Sequence, residues 1–117
     1  MSLEQIGNFL RSHRRTSGLS QRELARIVGY LTPFQVARHE QSSAIPALLI
    51  AISYEVVFRV SLSEIFPGLY RSVETKIEEV LSNMEQELQE CTAKGRKAAI
   101  IARKLEWMWA RRSGETI

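Results

Sequence analysis

Apolar positions recur along this chain at spacings of three and four, and no stretch alternates with period two. The pattern therefore predicts helices throughout. Leu3, Ile6, Phe9 and Leu10 place one apolar face on a first helix over residues 2–16, capped by Ser2 and stopped at Ser17-Gly18. Leu24, Ala25, Ile27 and Val28 mark a second helix over 21–28. Ser20 and Glu23 form a capping box at its start, and Gly29 sits where a left-handed residue closes a helix. A third helix is predicted over 33–39, with Thr32 as cap, Pro33 in its first turn, Gln35 completing a second capping box and Val36 facing inward. After the loop 41–45, Pro46 opens a fourth helix whose Leu48, Leu49, Ile52, Val56 and Val57 are expected to close the core. Ser61 to Glu64 reads as a third capping box starting a short fifth helix, with Leu62, Ile65 and Phe66 facing in.

Pro67-Gly68 punctuates the pattern, and the domain boundary is expected there, giving domains 1–66 and 67–117. Beyond it, Val73, Ile77, Val80, Leu81, Met84 and Leu88 form a narrow stripe on one long helix over 69–93. A last helix over 96–111 follows Lys94-Gly95. These two helices are expected to pair as a hairpin, within one chain or between two. The fold class is thus all-α: a five-helix domain followed by a helical hairpin or coiled-coil region.

Charge changes the picture through its distribution. The net charge is only +3, but residues 1–39 hold six arginines against two glutamates. Residues 67–93 hold two basic and six acidic side chains, and residues 94–117 seven basic and two acidic. The positive field lies toward the two ends of the chain, as suits a polyanionic partner. Aspartate is absent, which thins the stock of carboxylate chemistry, and no enzyme activity is expected. His13, His39 and Cys91 show no metal-ligand spacing, so neither a metal nor a cofactor is expected. One cysteine excludes an intrachain disulfide and suits the cytoplasm. No apolar run approaches the ~20 residues of a membrane span, and the first ten residues lack the pattern of a signal peptide.

Two short capped helices joined by a tight turn suggest a helix-turn-helix. Arg14, then Gly18-Leu19-Ser20-Gln21, Leu24-Ala25, Gly29, Val36-Ala37-Arg38-His39-Glu40, Pro46 and the run Val60 to Phe66 carry a more specific likeness. Over residues 7–66 the chain resembles the phage-repressor (Cro-like, XRE) helix-turn-helix family, in a long-turn bacterial form. The resemblance implies a sequence-specific regulator of transcription that binds double-stranded DNA in the bacterial cytoplasm, at the nucleoid. A homodimer is expected as well, because it doubles the contacts of one small domain and the stripe from Val73 to Leu88 offers a surface for pairing. It implies that Gln21, helped by Ser20, meets a phosphate. Thr32, Pro33, Phe34, Gln35 and Arg38 would face the major groove, and Gln41 and Ser42 would approach the backbone. Arg14 and Glu40 would tie the first helix to the third. The chain departs from the family in three places. Its turn, Gly29-Tyr30-Leu31-Thr32, is one residue longer. The loop after Glu40 lacks the common glycine, and Ala44 stands where a basic residue often precedes the proline. Pro33 and Phe34 occupy positions that are often polar, and Phe34 could pack on a thymine methyl.

Each of these residues has a plainer role beside the sharper one. Arg14 and Glu40 can be purely architectural, Gln35 a cap, Arg38 a surface ion-pair partner and Phe34 a core residue. Trp107 and Trp109, two apart, cannot share a helix face; one is expected to pack and the other to mark an interface. The basic residues Arg103, Lys104, Arg111 and Arg112 can be a solvated face. The same fold could also serve as a protein-interaction module, antitoxin-like or regulator-binding, without reading bases.

Overall fold

The computed structural model describes residues 7–114. They form seven helices and, among the described residues, no strand: α1 (Leu10–Thr16), α2 (Gln21–Val28), α3 (Phe34–Glu40), α4 (Leu48–Phe58), α5 (Leu62–Ile65), α6 (Pro67–Glu90) and α7 (Arg96–Arg112). None of them is long and apolar enough to cross a membrane. The chain divides into two compact units, Met1–Val73 and Glu74–Ile117, and the division falls within α6.

In the first unit, the expected start of helix one at Ser2, with Leu3 and Ile6, lies outside the described residues. Gly7 to Phe9 are not helical. Asn8 Oδ1 accepts a hydrogen bond from the Leu10 amide at 3.0 Å. A local side-chain bond of this kind competes with helix and favours a helix start. Leu10, Leu24, Ala25, Val36, Tyr54, Ile65 and Phe66 form the core, with Val28, Tyr30, Ile50 and Leu69 among the partly buried residues packed on it. Burying a leucine, isoleucine or valine such as Leu10, Leu24, Val36 or Ile65 is worth about 1.5–3 kcal/mol each.

Helix α4 corrects the sequence expectation. Leu48 and Leu49 are each 74% exposed, and Ile52 and Val56 are exposed as well. The inward face instead carries Tyr54, fully buried, flanked by Ile50, Val57 and Phe58. The helix is apolar nearly all round, so periodicity could not choose a face. An aromatic ring whose hydroxyl finds a buried partner did. The third capping box is also absent. The Ser61 side chain lies against Ser63 Oγ at 2.8 Å, and Glu55 of α4 accepts from the first amide of α5, Leu62 N, at 3.0 Å. Ile65 and Phe66 face inward as expected, with Leu62 partly buried. Pro67 does not end the domain. Proline is well suited to the first turn of a helix, and α6 starts there and carries Leu69 onto the core.

In the second unit, α7 folds back along α6. Arg111 donates to Glu78 at 2.6 Å, Arg112 pairs with Glu85, and Trp109 Nε1 donates to Glu85 at 2.8 Å. These contacts hold the Glu78 and Glu85 carboxyls below the usual carboxylate range, through the Arg111 and Trp109 hydrogen bonds respectively. Met108 is buried between the two tryptophans, both of which remain nearly half exposed. The expectation that one tryptophan packs is corrected: Met108 takes the inward place, and a helix offers only one such place among three consecutive residues. The α6 stripe splits. Leu81 and Leu88 are partly covered. Ile77, Val80 and Met84 stay exposed, continuing from Val73 at spacings of four, three and four.

Candidate nucleic-acid interface

The α2 cap forms as its sequence predicts. Ser20 Oγ accepts from Glu23 N at 3.0 Å, and Ser20 N donates to Glu23 Oε1 at 2.9 Å. The bond from the Ser20 amide, then that of its side chain, lowers the Glu23 pKa. At the other end Gly29 has φ 100°, a left-handed conformation that glycine adopts without strain. Tyr30 N donates to Ala25 O at 2.8 Å and Gly29 N to Arg26 O at 3.3 Å, which is a Schellman closure. Tyr30 is thereby turned onto the core.

The extra turn residue takes effect next. Leu31 and Thr32 are bent chain, and Pro33 occupies the cap position of α3 with helical dihedrals and no side-chain cap bond. The second capping box therefore does not form. Thr32 lies one position too early, and proline has no side-chain oxygen to receive an amide. Helix α3 starts at Phe34, a residue later than the spacing predicts.

Three contacts clamp α3 against the helices before it. Arg14 Nε donates to Glu40 Oε2 at 2.5 Å and Arg14 Nη2 to Glu40 Oε1 at 3.2 Å. Arg14 Nη1 reaches Leu19 O at 2.9 Å, bracing the turn between α1 and α2. Gln21 Nε2 donates to Glu40 Oε1 at 3.0 Å. The expected architectural pair is present, and it includes a third member. Gln21, expected to meet a phosphate, spends an amide proton on Glu40, because that carboxylate lies within its reach at the start of α2.

The far end of α3 is held by Asn8 and by Tyr54 of α4. Asn8 Nδ2 donates to His39 O and to Ser42 Oγ, both at 2.9 Å. Ser42, expected at a backbone contact, takes a left-handed φ of 58° here. His39 is only 3% exposed, and its Nδ1 lies 2.7 Å from the Tyr54 hydroxyl. Asn8 was findable as a cap residue directly before Phe9-Leu10. Nothing local marks His39 or Tyr54.

What remains turned outward is the face opposite Val36. Thr32, Phe34 and Gln41 are exposed, and Pro33, Gln35 and Arg38 are half-buried. The Arg38 guanidinium carbon lies 5.7 Å from the centre of the Phe34 ring. Phe34 is therefore not a core residue, and Arg38 has no carboxylate partner among the described ion pairs. Arg11, Arg15, Arg22 and Arg26 are exposed on α1 and α2. Of the nine residues expected at an interface, Ser20, Gln21 and Ser42 already serve the fold, and the other six line the turn, α3 and the residue after it. No family model, no characterised protein and no solved structure matched this chain.

The His39–Tyr54 contact makes the unit sensitive to acid. Burial, then the Arg38 charge, lowers the His39 pKa, and burial first of all raises that of Tyr54. The neutral imidazole can thus accept from a protonated hydroxyl. Unfolded, the histidine takes up its proton near pH ~6.5; folded, it resists. The stability that His39 contributes should be complete above that pH and fall as the pH drops toward the lowered folded value, by at most about 1.4 kcal/mol per pH unit. Urea midpoints at about pH 5.5 and 7.5 should separate in the wild type and draw together in His39→Asn, which removes the titrating ring. Equal separations in both proteins would remove His39 from the account.

Proposed function

We propose that this chain is a transcriptional regulator that binds specific sites on duplex DNA, of the phage-repressor (Cro-like, XRE) helix-turn-helix type. In this reading α1 to α5, completed by the first turn of α6, are the DNA-binding domain, and α3 enters the major groove as the recognition helix. The observation that carries it is the clamp of Arg14, Gln21 and Glu40. It fixes α3 against α1 and α2 from the inner side, leaving Phe34 and Arg38 on the outward face of a rigid helix and Thr32 exposed in the turn before it. Arg11, Arg15, Arg22 and Arg26 supply positive charge on the preceding helices, as phosphate contacts require. Such proteins work in the bacterial cytoplasm, at the nucleoid.

The working species is a homodimer, which doubles the contacts of one small domain and sets two recognition helices about 34 Å apart. The exposed α6 stripe of Ile77, Val80 and Met84 has the spacing of a two-stranded coiled-coil seam. We assign the pairing of two copies to it.

A second reading, a protein-interaction module, draws on the apolar turn before α3, where Leu31 and Phe34 are exposed. Salt separates the two. Selection from random duplexes should enrich one site. Its affinity should fall roughly 10³-fold between about 50 and 200 mM salt, as for a protein neutralising about six phosphates. No duplex bound at the lower salt would overturn the DNA reading in favour of the second.

A further inference from the structure

The turn into α3 exposes apolar side chains where a turn is ordinarily polar. Leu31 is 99% exposed, and Phe34, three residues on at the start of α3, is 63% exposed. The fold does not need either side chain outside. Val36 and His39 supply the inward face of α3, and Tyr30 supplies the packing of the turn. The Arg38 guanidinium rests over the Phe34 ring. That contact spans one helical turn, restrains a long flexible side chain, and holds its donor fork beside an apolar surface.

The major groove offers these two kinds of group different things. A guanidinium pairs with guanine O6 and N7. An aliphatic or aromatic side chain recognises the methyl group at C5 of a pyrimidine, the one apolar feature on the base edges. We infer that Leu31, Phe34 and Arg38 act as one reader of a guanine neighbouring a C5-methylated pyrimidine, which is thymine in ordinary DNA and 5-methylcytosine in modified DNA. The inference rests on the duplex-DNA reading and adds Leu31 to the specificity-determining residues. It gives the longer turn a use. The added residue projects Leu31 ahead of α3, so that two apolar groups flank the arginine's target.

The test uses the full chain and the duplex enriched by selection. The thymine beside the guanine that Arg38→Ala ceases to prefer is replaced by deoxyuridine, which removes the methyl and leaves the base pairing unchanged. Wild-type affinity should fall about fourfold for each methyl contacted, the worth of one buried carbon group. Cytosine and 5-methylcytosine at the same position should differ by a similar factor. Phe34→Ala and Leu31→Ser should bind the thymine and deoxyuridine duplexes more nearly alike. Both side chains lie outside the core, so unchanged urea transitions in these variants would show that the fold is intact. A selected site without a thymine beside that guanine would overturn the inference. So would tight wild-type binding that is indifferent to the methyl, or a methyl preference that survives in both variants. These outcomes leave the DNA reading standing, whereas failure to bind any duplex removes both.

Discussion

Glu40→Ala should destabilise the first unit by about 3–5 kcal/mol, the cost of leaving a buried charge without its partner. Glu40 accepts from Arg14 through both oxygens and from Gln21 through one, with little of either charged side chain in contact with water. Arg14 is itself buried, so its guanidinium cannot turn to solvent when the carboxylate is removed. Against a typical total of about 5–15 kcal/mol, the loss leaves a marginal domain. Gln21→Ala removes a single hydrogen bond from the same carboxylate and should cost about 0.5–1.5 kcal/mol. Replacing the pair together, as Arg14→Met with Glu40→Leu, should recover much of the deficit, because apolar groups of similar size tolerate burial. Urea unfolding followed by circular dichroism measures all three. A Glu40→Ala protein within about 1 kcal/mol of wild type would mean that the pair is hydrated in solution and does not clamp α3.

Val80→Glu, made together with Ile77→Glu, should yield a monomer. Both side chains are exposed on α6 and lie on the seam assigned to pairing. Four glutamates brought together along two copies of that seam would repel one another without disturbing α7, which is held to α6 by Glu78 and Glu85. Sedimentation should show the change of mass. Affinity for a duplex with two half-sites should drop about 10²-fold or more as the linked second contact is lost. Binding to a single half-site should hardly change. A wild type that sediments as a monomer at the same concentrations would dispose of the seam as an interface.

Helix order and most helix ends were legible in the residues because they rest on interactions within one or two turns. Ser20 and Glu23 meet across three residues, and Gly29 closes α2 through its own backbone. The errors cluster where two local signals competed or where none existed. Thr32 and Pro33 both looked like the start of α3, and the longer turn let the proline take the cap position. Ser61 looked like a side-chain cap, yet a glutamate from α4 reached the amide first. Pro67-Gly68 looked like a stop and became the first turn of α6. The candidate interface was readable as a stretch, 20–42, but not as a set of outward side chains. Gln21 and Ser42 have polar groups that suit a phosphate and suit a neighbouring helix equally well.

By itself, the sequence determined that this chain is helical, the order of its helices, and that the residues from Ser20 to Glu40 form two short helices about a turn. Each of these depends on spacing, caps and glycine, whose energetics are local. Only the tertiary structure decided which side of α4 faces the core, that His39 and Tyr54 share a buried contact, and that Asn8 secures the end of α3. It also decided that Gln21 turns to Glu40, and that Leu31 and Phe34 are left outside with Arg38. The hydrogen bonds among these outcomes join groups fifteen to thirty-four residues apart in the chain. A buried polar atom must find a partner wherever the fold supplies one.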